Sequence, residues 1–221
     1  MDVSERYYQV YQFCLDQIQH KDQPICRLEK GEFWQLKRAK TPEWQIGILS
    51  GLDEAQAQEF AQLRRKTVHT LPYLIYDRPL PGVQATLEQL QQLGVDLVVM
   101  TMRRVGELEA AFHNYDLDRF FPANRRYCLS NDYVKTADVK DKPLLMERAL
   151  RELPGVAEVW MVGDTEADII AAKTHNIPVI GVLSGIRNRA QLERYEPKFI
   201  VNNLQEAVDL LKQFSEVKVT N

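Results

Sequence analysis

Cysteine is scarce in this chain. Its 221 residues hold three, Cys14, Cys26 and Cys128, too few and too scattered for a disulfide framework or a zinc pattern. They read as the reduced thiols of a cytoplasmic protein. No apolar stretch approaches the roughly 18 residues that a membrane-spanning helix needs. The opening "MDVSERYYQVY" has neither the basic start nor the apolar centre of a secretory signal. A dominant charge is also missing. The 28 Lys and Arg face 31 Asp and Glu, for a net charge of -3, which gives neither nucleic acid nor an anionic membrane a reason to be the main partner. There is no internal repeat and no low-complexity tract. What remains is the composition of an ordinary globular protein, long enough for one large domain or two small ones.

The two parts of the chain carry different periodicities. Residues 2–75 show helical spacing alone. Asp2 and Glu5 have the spacing of a capping box, and Tyr7, Tyr8, Tyr11, Cys14, Leu15 and Ile18 then recur on one helical face. A second helix is expected around "EFWQLKRA", and a third from Asp53 past Phe60 and Leu63. "YDRPLPG" interrupts this pattern with Pro79, Pro81 and Gly82, so a helical domain is expected over 1–76 and a second domain over 77–221. From Pro81 onward, apolar strands such as "VDLVVMT", "RYCLS", "VAEVWMV", "PVIGVL" and "KFIVN" alternate with amphipathic helices. Strands apolar on both faces, alternating with helices, imply an α/β fold with a doubly wound parallel sheet. Ligands of such sheets bind beyond the carboxyl ends of the strands.

Three strand ends carry candidates. Thr101, followed by Met102 and Arg103, closes "VDLVVMT". Its hydroxyl and the next backbone N–H groups can meet an anionic oxygen at a helix start; alone, Thr101 reads as a helix cap. Lys142, with Lys140 as its understudy, stands before Pro143 where a helix is expected to begin. The helix dipole disfavours a cation there unless an anion sits opposite; the other reading is a solvated lysine. Asp164 follows Gly163 at the end of an apolar run, and Asp168 lies one helical turn on. Two carboxylates facing one side suit a hard cation, magnesium above all. Each is also explained by capping a helix. Together, a hydroxyl, a cation and an acid pair make a phosphate site.

The order of these parts resembles the haloacid dehalogenase-like (HAD) hydrolase superfamily, in its phosphoglycolate-phosphatase-like branch. "PGVQATLEQLQQLGVDLVVMT" is similar to the stretch leading to the second-motif threonine, "KPLLMERAL" to the third motif, and "VGDTEADIIAAKTHNIPVIGVLSG" to the fourth, Gly-Asp-x-x-x-Asp. The resemblance covers residues 79–213. It implies a Rossmann-like core with a helical cap, and a magnesium-dependent phosphatase that acts on a small phosphorylated metabolite through an aspartyl-phosphate. By the resemblance, Thr101, Lys142 and Asp164 are catalytic, Thr101, Met102, Arg103 and Lys142 bind substrate, and Asp164 and Asp168 hold the metal. The acid pair argues against carbon–halogen cleavage, which needs no magnesium.

The family's first motif, a strand ending in Asp-x-Asp-Gly, has no counterpart here, since Asp2-Val3-Ser4 lacks both the second acid and the strand. That strand is central, between the one ending at Thr101 and the one ending at Gly163. Its absence leaves those two about 9–10 Å apart, with backbone groups whose burial unpaired costs on the order of 1–3 kcal/mol each. Either the natural protein begins earlier, or another segment fills the gap; "EVKVT" at 216–220 is the spare β-like piece. As written, the chain is expected to be inactive, and the alternative is a HAD-fold binding protein without a nucleophile. Phe33, Trp34, Lys37, Arg38 and Lys40 form an aromatic–basic cluster that either meets a substrate or divides into core and solvated face. Arg187 and Arg189 invite a similar reading.

Overall fold

The computed structural model describes residues 1–156 and 158–219, with side chains through Phe214. Two compact units divide the chain, Met1–Arg78 and Pro79–Asn221.

The first unit is helical: α1 (Ser4–Ile18), α2 (Lys30–Arg38), α3 (Glu43–Leu49), α4 (Glu54–Thr67) and the short α5 (Leu71–Leu74). The α1 stripe does face the core. Val10, Tyr11, Cys14 and Leu15 are buried against Phe33, Ile46 and Phe60, and the Tyr11 and Phe33 rings stack with centroids 4.7 Å apart. Such large buried aromatics dominate the stability of a small helical unit. Asp53 caps α4, accepting from Gln56 N at 2.9 Å, and Gln56 Oε1 accepts from Asp53 N at 3.0 Å. The box expected at Asp2 and Glu5 does not form. The helix begins at Ser4, which leaves Glu5 one position short of reaching back. Asp2 Oδ1 accepts from Ser4 N at 2.8 Å, while Glu5 turns to Gln9 and Lys30. The Asp2 backbone instead pairs with Arg78, joining the two ends of the unit. Within the aromatic–basic cluster Phe33 is core, Trp34 packs edge-on against Tyr7, and Lys37 pairs with Glu43.

The second unit alternates as expected: α6 (Val83–Gln92), β1 (Val99–Arg104), α7 (Val105–Asn114), β2 (Arg126–Leu129), α8 (Asp138–Glu152), β3 (Met161–Gly163), α9 (Glu166–Thr174), β4 (Val179–Val182), α10 (Arg189–Glu193), β5 (Phe199–Val201) and α11 (Leu204–Val219). Gly94, with φ of +72°, takes the left-handed turn after α6. Every ladder is parallel, but the sheet is in two pieces, β1–β2 and β3–β4–β5. Strands β1 and β3 each have a partner on one side only among the described residues. Burial reflects this: all four β4 residues are buried, whereas β1 is half-buried apart from exposed Arg104, and Met161 and Val162 of β3 are half-buried. The division falls between the two strands predicted to flank an absent central one. Helices α8 and α9 span it. Met146 and Ile169 pack with Met100 of β1 and Met161 of β3 in one cluster, and Met100 also joins Tyr127 and Leu145 in the next. The α11 backbone is helical through Val219, so "EVKV" adds no strand; Thr220 lies outside the described residues.

Candidate active site

The ends of β3 and α8 meet around two acids and a lysine. Strand β3 stops at Gly163, and Asp164 and Thr165 turn the chain into α9. Thr165 is the N-cap of that helix and Asp168 its third residue, and the two form a capping box. Asp168 Oδ2 collects three donors: Asp164 N at 3.2 Å, Thr165 N at 3.0 Å and Thr165 Oγ1 at 2.7 Å. Its Oδ1 accepts from Lys142 Nζ. Both side chains of this ion pair are nearly inaccessible, at 8% and 5% exposure. A buried ion pair persists only where further hydrogen bonds satisfy its remaining lone pairs, and the capping box supplies them.

Asp164 is held differently. Its Oδ2 accepts from Ile186 N at 2.8 Å, in the loop after β4. Burial, and then the nearby charge of Asp168, push its carboxyl above the ordinary aspartate range, against the pull of the Ile186 N–H and of Lys142. Two glycines make room for the acids. A Cβ on Gly163 would lie 2.3 Å from Asp168 Cβ and Cγ, and one on Gly185 would lie 2.0 Å from Asp164 Oδ2. Gly163 belongs to the Gly-Asp-x-x-x-Asp motif, whereas Gly185, Thr165 and Ile186 do not stand out in sequence as site residues. The spacing Gly-Asp-Thr, with an acid three residues after the threonine, is the signal that could have found Thr165.

Several expected positions need correction. Helix α8 begins at Asp138, with Pro143 inside it. Lys142 therefore lies a full turn in, not at the positive end of the helix dipole. Its burial and its bond to Asp168 single it out instead, while Lys140 is exposed. The first turn of α8 is fastened through Asp141, which accepts from Thr136 N at 2.9 Å, Thr136 Oγ1 at 2.8 Å and Tyr133 Oη at 3.2 Å. Burial pushes that carboxyl up, but these hydrogen bonds outweigh it and hold it below the usual range. Thr101, Met102 and Arg103 do not follow a strand; they lie within β1, which starts four residues later than expected and runs to Arg104 with a bulge between Met100 and Arg104. Thr101 Oγ1 accepts from Arg103 N at 3.2 Å. Nor is the start of α7 wholly open to an anion, because Gly106 N donates to Asn131 Oδ1 at 3.2 Å. Arg187 is bound to Glu166, at 2.7 and 3.3 Å, and Arg189 lies 4.0 Å from Glu193. The structure thus brings Lys142, Asp164 and Asp168 together, and places Thr101–Arg103 on the neighbouring open strand.

A HAD-hydrolase-like family model matches residues 139–207, which include Lys142, Asp164 and Asp168. The pyrophosphatase PpaX of Bacillus thuringiensis (strain Al Hakam) is 25% identical over 171 residues, 75% of this chain and 74% of the relative. That of Bacillus mycoides (strain KBAB4) is 25% identical over 138 residues, and the match spans only 60% of its length. Among solved structures, a Clostridium difficile protein assigned as a phosphatase superposes with a TM-score of 0.72 at 22% identity, over 95% of this chain and 92% of that one. The fold is the Rossmann-like α/β core with a helical cap. The family-model match and the PpaX relatives support the haloacid dehalogenase-like hydrolase superfamily as the one this chain resembles.

Proposed function

We propose that the protein is a magnesium-dependent phosphatase of the cytoplasm that acts on a small phosphorylated metabolite. The observation that carries this reading is the buried Lys142–Asp168 pair beside Asp164 at the carboxyl end of β3, next to the unpaired edge of the sheet. The acids fit one side of a hard-cation site. Asp164 is buried against a second carboxylate, so a cation there would offset both burial and repulsion. No group of three or more His, Cys, Asp or Glu that could hold a metal occurs among the described residues, which leaves the other ligands to a further segment, water or substrate. When bound, magnesium supplies positive charge that offsets repulsion between an attacking carboxylate and the phosphate.

The roles of the chain's own residues follow from their placement. Asp164, whose Oδ2 accepts from Ile186 N, would hold the metal. Asp168 fixes Asp164, Thr165 and Lys142, and would help to hold the metal beside Asp164. Lys142 presents its ammonium to a phosphate oxygen. Thr101, Met102 and Arg103 contribute substrate contacts from β1. The nucleophile is an aspartate on a strand that pairs between β1 and β3 and forms an aspartyl-phosphate. A loss of that strand would leave a HAD-fold binding protein, a second reading favoured by the open sheet edges of the described residues.

The test is hydrolysis of p-nitrophenyl phosphate and of pyrophosphate, the latter chosen from the PpaX relatives, with and without magnesium. It is run on the protein translated from its full upstream frame. Activity that needs magnesium and disappears in Asp164→Asn, with folding retained, supports the phosphatase. An upstream frame with no apolar strand ending in an aspartate would leave only the binding protein.

A further inference from the structure

We propose that the helical unit carries a binding pocket for a small dianion, walled by α1–α4. A half-open cavity of about 220 Å³ is lined there by Tyr7, Lys37, Glu43, Arg64, Arg65 and His69, among others. Three permanently cationic side chains face one carboxylate. Glu43 serves two of them, with Oε1 on Lys37 Nζ and Oε2 on an Arg64 terminal nitrogen at 2.6 Å. Glu43 is the single acid of that lining and already bonds Lys37 and Arg64, so Arg65 adds positive charge that it does not bond.

Arg64 makes that excess costly. Its side chain is 1% exposed, and its Nε is buried with no hydrogen-bond partner. Its remaining contacts are a bond to Tyr7 O at 3.3 Å and the faces of Phe33 and Tyr7, with centroids 5.3 and 5.8 Å away. Buried guanidinium groups are normally matched by anions and fully hydrogen-bonded. At the rim Arg65 is exposed and has no ion pair among the described residues. A solvated basic face would hold its arginines in water; here one is sunk beneath an open space and another stands at its entrance.

Size narrows the ligand. At about 220 Å³, the cavity lies below the roughly 300–1,000 Å³ of pockets for drug-sized ligands, which suits a phosphate or a short dicarboxylate. A dianion would neutralise the excess, drawing on Lys37 and Arg65 at its edge and on the field of Arg64 beneath. This inference does not rest on the phosphatase reading, because every residue in it lies in the helical unit.

Inorganic phosphate is the probe. It is titrated into the full chain while backbone amide resonances are followed, so that residues 37–69 report separately from those around Lys142. The expected result is saturable shifts at Lys37, Glu43 and Arg64–His69. Arg65→Glu should weaken that affinity about tenfold or more with an unchanged melting temperature. Lys66→Glu, an equal charge change outside the lining, should alter it less than about twofold. Absence of saturable shifts in 37–69, shifts confined to the Lys142 region, or equal losses in the two variants would each overturn the proposal.

Discussion

Lys142 and Asp168 form a buried ion pair in which the two carboxylate oxygens have separate partners, the ammonium on one and three donors of the α9 capping box on the other. Asp164, four residues earlier, bonds through one oxygen to a single backbone N–H. The acids that sequence presents as an equivalent pair are therefore unequal. One is fully engaged in holding the local structure, and the other is buried with capacity to spare. Substitution should separate them by sign.

Asp164→Asn is expected to stabilise the metal-free protein. An amide oxygen keeps the bond from Ile186 N and removes a charge that burial and Asp168 both disfavour. The pH dependence follows from the raised carboxyl. The native state holds its proton where the unfolded state has released it, so the favourable contribution is full below the ordinary aspartate range. It is lost as pH rises through the raised value. The variant and the parent should thus melt together in acid and diverge toward neutral pH, with the variant higher. Each kcal/mol corresponds to roughly 2–4 °C for a chain of this size. Magnesium should raise the melting temperature of the parent by mass action and leave the variant unmoved. A melting difference independent of pH would contradict the assignment.

Asp168→Asn should do the opposite. It leaves the Lys142 ammonium buried without its partner, a loss of about 3–5 kcal/mol in comparable sites, and it places an amide where three donors converge. Chemical denaturation monitored by circular dichroism, compared with Asp164→Asn under the same conditions, checks the contrast. Equal and small effects in the two variants would show that the ion pair does not bear on stability.

What sequence reveals here depends on whether a residue acts through its side-chain chemistry or through where the chain puts it. The alternation after Pro81, the apolar β4 run and the Asp164–Asp168 spacing were legible because periodicity and acid type carry them directly. The start of α8 was not, since the polar stretch before Lys142 gives no strong boundary signal, and Pro143 inside the helix reads as its first turn. The β1 register was displaced because Val95–Val98 are as apolar as the residues after them, and only pairing with β2 decides which of them form the ladder. Gly185 and Ile186 act through a missing Cβ and a backbone N–H, neither of which composition records. Arg64, at the basic end of α4, is buried, and nothing in the run of basic residues there marks it out from Arg65 and Lys66.

Gly185→Ala tests the close approach behind Asp164. The added methyl would overlap the Asp164 carboxylate, at 2.0–2.2 Å from its atoms, and the lighter of the two groups to move is the side chain. Displacement of a catalytic group by about 1 Å is enough to cost on the order of 100-fold in rate. The expected outcome, in the active full-frame protein, is a loss of that size in kcat with little change in KM. Proportionate unfolding in circular dichroism would instead assign Gly185 a purely structural role.

The three thiols should react in the order of their surroundings. Cys14 is fully buried in the helical core, and burial pushes its thiol up to about 12, so almost no thiolate is present near pH 8. Cys128 is half-buried and its thiol is raised by burial as well. Cys26 is exposed and should account for the rapid phase with an aromatic disulfide reagent, because the thiolate is the reacting form. Native protein should therefore release close to one equivalent quickly, with the Cys14 equivalent appearing only on denaturation. A Cys26→Ser variant that keeps the fast phase would refute the assignment.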